Sequence, residues 1–79
     1  MTVQVKLYAL LRKYHPGPNR SAPLAVALSE GSTLADLIAV LKLPADAVRA
    51  SFVNGEKLPS NTVMRDGDLV SLFSAVVGG

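Results

Sequence analysis

Gly31-Ser32-Thr33-Leu34-Ala35-Asp36-Leu37-Ile38-Ala39-Val40-Leu41-Lys42-Leu43-Pro44 decides the fold, because it holds the one clear helix of the chain. Thr33 suits an N-cap, and Asp36 falls at the third helical position, where its charge meets the helix's positive end. Leu34, Leu37, Ile38 and Leu41 recur at helical spacing as one apolar stripe, enough to lie across a sheet. Lys42 falls near the negative end. Pro44 bars continuation and biases Leu43 toward extended angles. A short second turn is expected from Pro44 to Val48, with Pro44 in the first-turn position.

The segments on either side read as strands. Val3, Val5, Leu7 and Ala9 alternate with Gln4, Lys6 and Tyr8, the period of a half-buried strand. Leu10 to Tyr14 breaks the alternation as a short turn that packs Leu11 inward, and His15-Pro16-Gly17-Pro18-Asn19-Arg20 reads as loop. Leu24, Val26 and Leu28 alternate in a second strand, antiparallel to the first. Beyond the helix, Ser51-Phe52-Val53 is a strand, Asn54-Gly55 a strong hairpin turn signal, and Glu56-Lys57-Leu58 a short return ended by Pro59. Ser60 to Arg65 is a connection expected to place Val63 in the core. Asp66-Gly67-Asp68 is a tight turn, and Leu69 to Phe73 the last strand, with Val70 and Leu72 on one face. One helix across a mixed sheet of four to five strands is the α+β arrangement called β-grasp. Its first and last strands run parallel in the middle of the sheet. Residues 1–79 read as one domain, with 74–79 a C-terminal tail.

Composition narrows the function classes. The absence of cysteine excludes disulfides, thiolate metal sites and cysteine nucleophiles within this chain. A net charge of +2, from eight basic and six acidic residues scattered along the sequence, is too weak and dispersed for a nucleic-acid footprint. No stretch approaches the length of a membrane span, and Met1-Thr2-Val3 enters a strand without the pattern of a signal peptide. The expectation is a cytoplasmic protein.

Candidate sites are few. Asp66 and Asp68 suit a turn better than a metal site, since calcium or magnesium needs more oxygen ligands, and no metal site is expected. His15 has no ligand or nucleophile near it in sequence and is expected to be a solvated loop residue. No phosphate cradle or acid–base pair is recognisable, so no cofactor is expected on this chain. Tyr8 and Phe73 lie opposite the core-facing residues of their strands. If those strands are neighbours, the two rings form an apolar patch suited to a protein interface, unless Leu11 to Ala22 folds back over them. The patch lies at the root of Ser74-Ala75-Val76-Val77-Gly78-Gly79, a segment that spans roughly 20 Å when fully extended. Its glycines allow close backbone approach within a narrow channel.

In sum of Val5-Lys6-Leu7-Tyr8-Ala9-Leu10-Leu11-Arg12, Gly31 to Leu37, Val53-Asn54-Gly55, Asp66-Gly67-Asp68 and Phe73 to Gly79, the chain resembles the MoaD/ThiS family of ubiquitin-like sulfur carriers nearly end to end. The start leans toward the MoaD branch, while Ser74-Ala75 replace the two prolines usual in that branch's tail. The resemblance implies that an E1-like enzyme uses ATP and magnesium to adenylate the carboxylate of Gly79. A sulfur donor then converts it to a thiocarboxylate. It implies partner contacts from Tyr8, Phe73, Val76, Val77 and Gly78. It also implies a sulfur-accepting partner such as the large subunit of molybdopterin synthase, with this chain as the small subunit in molybdenum cofactor biosynthesis. Carriers for thiamin, tRNA thiolation, cysteine synthesis or a tungsten cofactor, and a protein modifier conjugated through Gly79, stay open as alternatives.

Overall fold

Alternation along the first strand carries into three dimensions directly. In a computed structural model that describes residues 1–74, β1 spans Thr2–Tyr8 and buries Val3, Val5 and Leu7 on one face. A 3-10 turn over Ala9–Tyr14 follows, with Leu11 buried beneath it. Ala9 opens that turn at φ 55, which ends the strand one residue before the alternation does. β2 is Leu24–Ala27, α1 is Leu34–Val40, and a second 3-10 turn occupies Ala45–Ala47. Pro44 precedes that turn as its N-cap, at φ −61 and ψ 126, rather than standing in its first position. β3 is Val48–Val53, β4 is Glu56–Lys57 and β5 is Leu69–Ser74.

The five strands form one mixed sheet in the order β2-β1-β5-β3-β4. β1 and β5 are parallel at its centre, and β1–β2, β3–β5 and β3–β4 are antiparallel. This is the expected β-grasp. Leu34, Leu37 and Ile38 of α1 join Val3, Val5, Leu7, Val70 and Leu72 in a single apolar cluster, so the helix seals one face of the sheet.

The helix ends are built by side chains named in the sequence. Thr33 Oγ1 accepts from the Asp36 N–H at 3.3 Å, and Asp36 Oδ2 accepts from the Thr33 N–H at 2.8 Å, a reciprocal capping box. At the other end the Lys42 N–H donates to the Ala39 carbonyl, and the Leu43 N–H to that of Ile38. That pair of bonds is a Schellman motif, and it holds Lys42 at φ 59, where a β-carbon is unfavourable. Lys42→Gly should therefore stabilise the fold by about 0.5–1 kcal/mol, part of the relief being offset by glycine's greater freedom when unfolded. Thermal melting should show a rise of a few degrees. An unchanged or lower midpoint would mean that the lysine's charge at the helix end outweighs the backbone strain.

Several expectations are corrected. Val63 is 56% exposed, and Met64 beside it is buried instead. The connection has no strand or helix period, and an antiparallel bridge between Thr33 and Val63 fixes which neighbour turns inward. β3 begins at Val48, not Ser51, because the register shifts between Val48 and Ala50 and the alternation is lost there. Ser74, read from sequence as tail, is the buried last residue of β5, and its hydroxyl accepts from the Leu10 N–H at 3.0 Å.

His15 is also corrected, since it is buried. Its Nδ1 accepts from the Gly17 N–H at 3.0 Å, which leaves Nε2 as the protonated nitrogen, donating to the Ala22 carbonyl at 2.9 Å. Glycine at position 17 eases this close approach, as a β-carbon there would stand 3.1 Å from His15 Cε1. The ring thus ties both ends of an otherwise irregular loop.

Candidate functional site

Parallel pairing of β1 with β5 puts Tyr8 directly opposite Phe73. Both point away from α1, because Leu7 and Leu72 take the inward positions beside them. Their rings stack with centroids 4.4 Å apart and planes 9° from parallel. The sequence expectation of two aromatics on the uncovered face is met.

A third ring completes the group. Phe52 of β3 meets Phe73 edge-on at 5.6 Å, in the T-shaped geometry that ring quadrupoles favour. All three rings are half-buried, so Leu11 to Ala22 does not seal them. Tyr14 and Pro16 instead line a groove on the helix side, with Leu24, Val40 and Leu41. Phe52 is missed by sequence reasoning. Its parity, opposite to that of buried Val53, was the available signal, but it points to this patch only once β3 is known to pair with β5.

Two cations lie beside the Tyr8 ring. Lys6 Nζ lies 5.6 Å from the Tyr8 ring centre, and the Arg12 guanidinium 5.9 Å from it. Arg12 Nε also donates to the Leu7 carbonyl at 3.4 Å, which steadies the side chain. Lys57 stands opposite Phe52 in the β3–β4 register. Lys6, Arg12 and Lys57 are all exposed. The result is an apolar centre with a basic rim, able to bind a surface of the opposite polarity.

The acidic turn lies at the other end of the β1–β5 pair and does structural work. Asp66 Oδ1 accepts from the Thr2 N–H at 2.7 Å. Buried Asp68 accepts from Asn54 Nδ2 at 3.0 Å and from the Arg65 N–H at 2.8 Å. Asn54 and Gly55, at φ 52 and 86, have the left-handed angles of a type I′ hairpin turn. Asn54 Oδ1 also accepts from the Leu69 N–H, tying that turn to the start of β5. Among the described residues no group of three or more potential ligands could hold a metal ion. No helix there is long and apolar enough to cross a membrane. Val76, Val77, Gly78 and Gly79, the remaining candidate residues, lie outside the described residues.

A helix laid over a mixed five-stranded sheet, with the first and last strands parallel at its centre, defines a ubiquitin-like β-grasp protein. The chain belongs to the Mut7-C ubiquitin family, whose model matches residues 1–75. No curated protein sequence matches it. Among solved structures it is similar to SAMP1 from Haloferax volcanii, at 22% identity and a TM-score of 0.74, with 100% of both chains covered. It is similar to a putative molybdopterin converting factor subunit 1 from Pyrococcus furiosus, at 23% identity and 0.73, covering 96% of this chain and 99% of that one. A protein–protein complex of subunits 1 and 2 of molybdopterin-converting factor from Helicobacter pylori also matches, at 26% identity and 0.61, with 100% of both chains covered.

Proposed function

We propose that this chain is a sulfur carrier whose reacting group is the α-carboxylate of Gly79. The observation that supports this reading is the Tyr8–Phe73–Phe52 patch, which ends β5 within a few residues of Gly78-Gly79. A carboxylate is a poor electrophile. An E1-like enzyme supplies ATP and magnesium, the carboxylate attacks the α-phosphorus, and pyrophosphate leaves. Hydrosulfide then attacks the acyl carbon of the adenylate, the new C–S bond replaces the C–O bond to phosphate, AMP leaves, and loss of the thiol proton gives the thiocarboxylate. The patch docks the body of the carrier while Val76, Val77 and Gly78 lie in the partner's channel, held through backbone hydrogen bonds. Enclosure there limits hydrolysis.

The favoured sulfur acceptor is the large subunit of molybdopterin synthase, with this chain as the small subunit in the cytoplasm. The likeness to molybdopterin-converting factor subunits supports it. A protein modifier conjugated through Gly79 is the second reading, favoured by the likeness to small archaeal modifier protein 1 of Haloferax volcanii. Intact-protein mass spectrometry after incubation with ATP, an E1-like enzyme and sulfide tests the first reading. The shift for one oxygen replaced by sulfur, localised to the last peptide, is the expected result. Reductant-stable adducts on lysines of other proteins, without that shift, would favour the modifier instead.

Phe73→Ala removes the ring shared by both aromatic contacts. Binding to the E1-like enzyme should weaken by about thirtyfold or more, as for a central interface aromatic. Folding should lose less, about 1–2 kcal/mol, because the residue is only half-buried. Calorimetric titration and urea unfolding separate the two effects. Unchanged binding would remove Phe73 from the interface. The basic rim further requires that affinity fall as salt rises.

A further inference from the structure

We propose that β2 is a self-association edge, pairing antiparallel with β2 of a second copy about a two-fold axis at Val26. The two edges of the sheet differ in kind. β4 is two residues long, Glu56-Lys57, both charged and exposed, which is how natural sheets discourage edge pairing. The stretch Leu24-Ala25-Val26-Ala27-Leu28 at the other edge contains no charge and no proline.

The ladder shows which backbone groups that edge presents. Met1 and Leu28 exchange bonds, the Met1 amino group donating to the Leu28 carbonyl at 2.9 Å and the Leu28 N–H to the Met1 carbonyl at 2.8 Å. Antiparallel pairs alternate between bonded and non-bonded, so Val3–Val26 and Val5–Leu24 are the next bonded pairs. Ala25 and Ala27 then direct their N–H and C=O groups outward, away from β1. The other side of β1 agrees, since the Gln4 N–H donates to the Asp68 carbonyl and the Thr2 carbonyl accepts from the Gly67 N–H, both toward β5.

This spacing is self-complementary. Joining Ala25 of one copy to Ala27 of the second satisfies all the outward groups, with Val26 facing its own mate on the axis. No like charges meet within the ladder, because the strand has none; Lys42 is a charged residue that lines the groove beside it. Ala25 and Ala27 are exposed and small, so the chains can approach closely. The two-fold also brings both α1 C-termini to one side of the joined sheet. There Val40, 54% exposed, borders the same groove as Leu24 and Val26, and the second copy gives it apolar cover. So short an edge makes a small interface and a weak dimer, with a dissociation constant on the order of a millimolar.

The proposal stands whether or not the sulfur-carrier reading does. Its test is sedimentation velocity and amide NMR of the full chain, diluted from about 1 mM. Association should rise with concentration, and the Ala25 and Ala27 amides should shift and exchange more slowly. Two double variants check the register. Ala25→Lys with Ala27→Lys places like charges opposite each other and should weaken the dimer about tenfold, whereas Ala25→Lys with Ala27→Glu should preserve it. Both positions are exposed, and melting curves confirm that both variants fold. A chain that stays monomeric at the highest concentration overturns the proposal. So does a Lys/Lys variant that associates as tightly as the parent, or shifts confined to the aromatic patch.

Discussion

Leu37→Ala should lower the unfolding free energy by about 2–5 kcal/mol. Leu37 is fully buried in the middle of α1, in the cluster that includes Val3, Val5, Leu7, Val70 and Leu72. Alanine is at least as good a helix former as leucine, so backbone propensity contributes none of the loss. What remains is the apolar area returned to water and the void between helix and sheet, which a seven-residue helix capped at both ends closes poorly. A domain this size has a total stability of about 4–12 kcal/mol, so the variant sits near the edge of folding. Urea unfolding of Val40→Ala provides the contrast. Val40 is three residues further along the same helix and largely exposed, and its replacement should change stability by no more than about 0.5 kcal/mol. Equal losses at the two positions would refute the assigned helix face.

Removal of Gly79, or addition of one residue after it, should abolish thiocarboxylate formation while leaving the melting curve unchanged. The proposed chemistry requires the α-carboxylate to reach a fixed point in the E1-like enzyme while the body is held at its aromatic patch. One residue alters that reach by about 3.5 Å, and misplacement of a reacting group by about 1 Å can cost a hundredfold in rate. The cluster that stabilises the fold ends at Leu72, so stability has no reason to follow. The readout is the mass of the last peptide after incubation with ATP, the E1-like enzyme and sulfide. A variant lacking Gly79 that still accepted sulfur would end the carrier reading. A variant that lost sulfur acceptance only because it had unfolded would show it in the melt.

Much of the fold was legible wherever one short-range rule acted alone. Period-two alternation marked the inward residues of β1 and β5, and the Asn54-Gly55 pair marked its turn. Thr33 and Asp36 marked the start of the helix. Where two local rules competed, or none applied, legibility ended. Val63 and Met64 are adjacent apolar residues in a segment without a period, so nothing local distinguished the buried one from the exposed one. His15 carried no local sign that its ring would bridge Gly17 and Ala22, since that bond depends on how the loop closes.

The candidate site divides in the same way. The amino-acid sequence by itself determined that Tyr8 and Phe73 oppose the core-facing residues of their strands, because side chains alternate along any strand whatever it pairs with. Only the tertiary structure decided that the rings stack, that Phe52 joins them, that Lys6 and Arg12 approach the Tyr8 ring and that Lys57 stands opposite Phe52. Those contacts depend on the register between strands distant in sequence, and register is fixed by the burial of one whole face against α1 rather than by any residue near the rings.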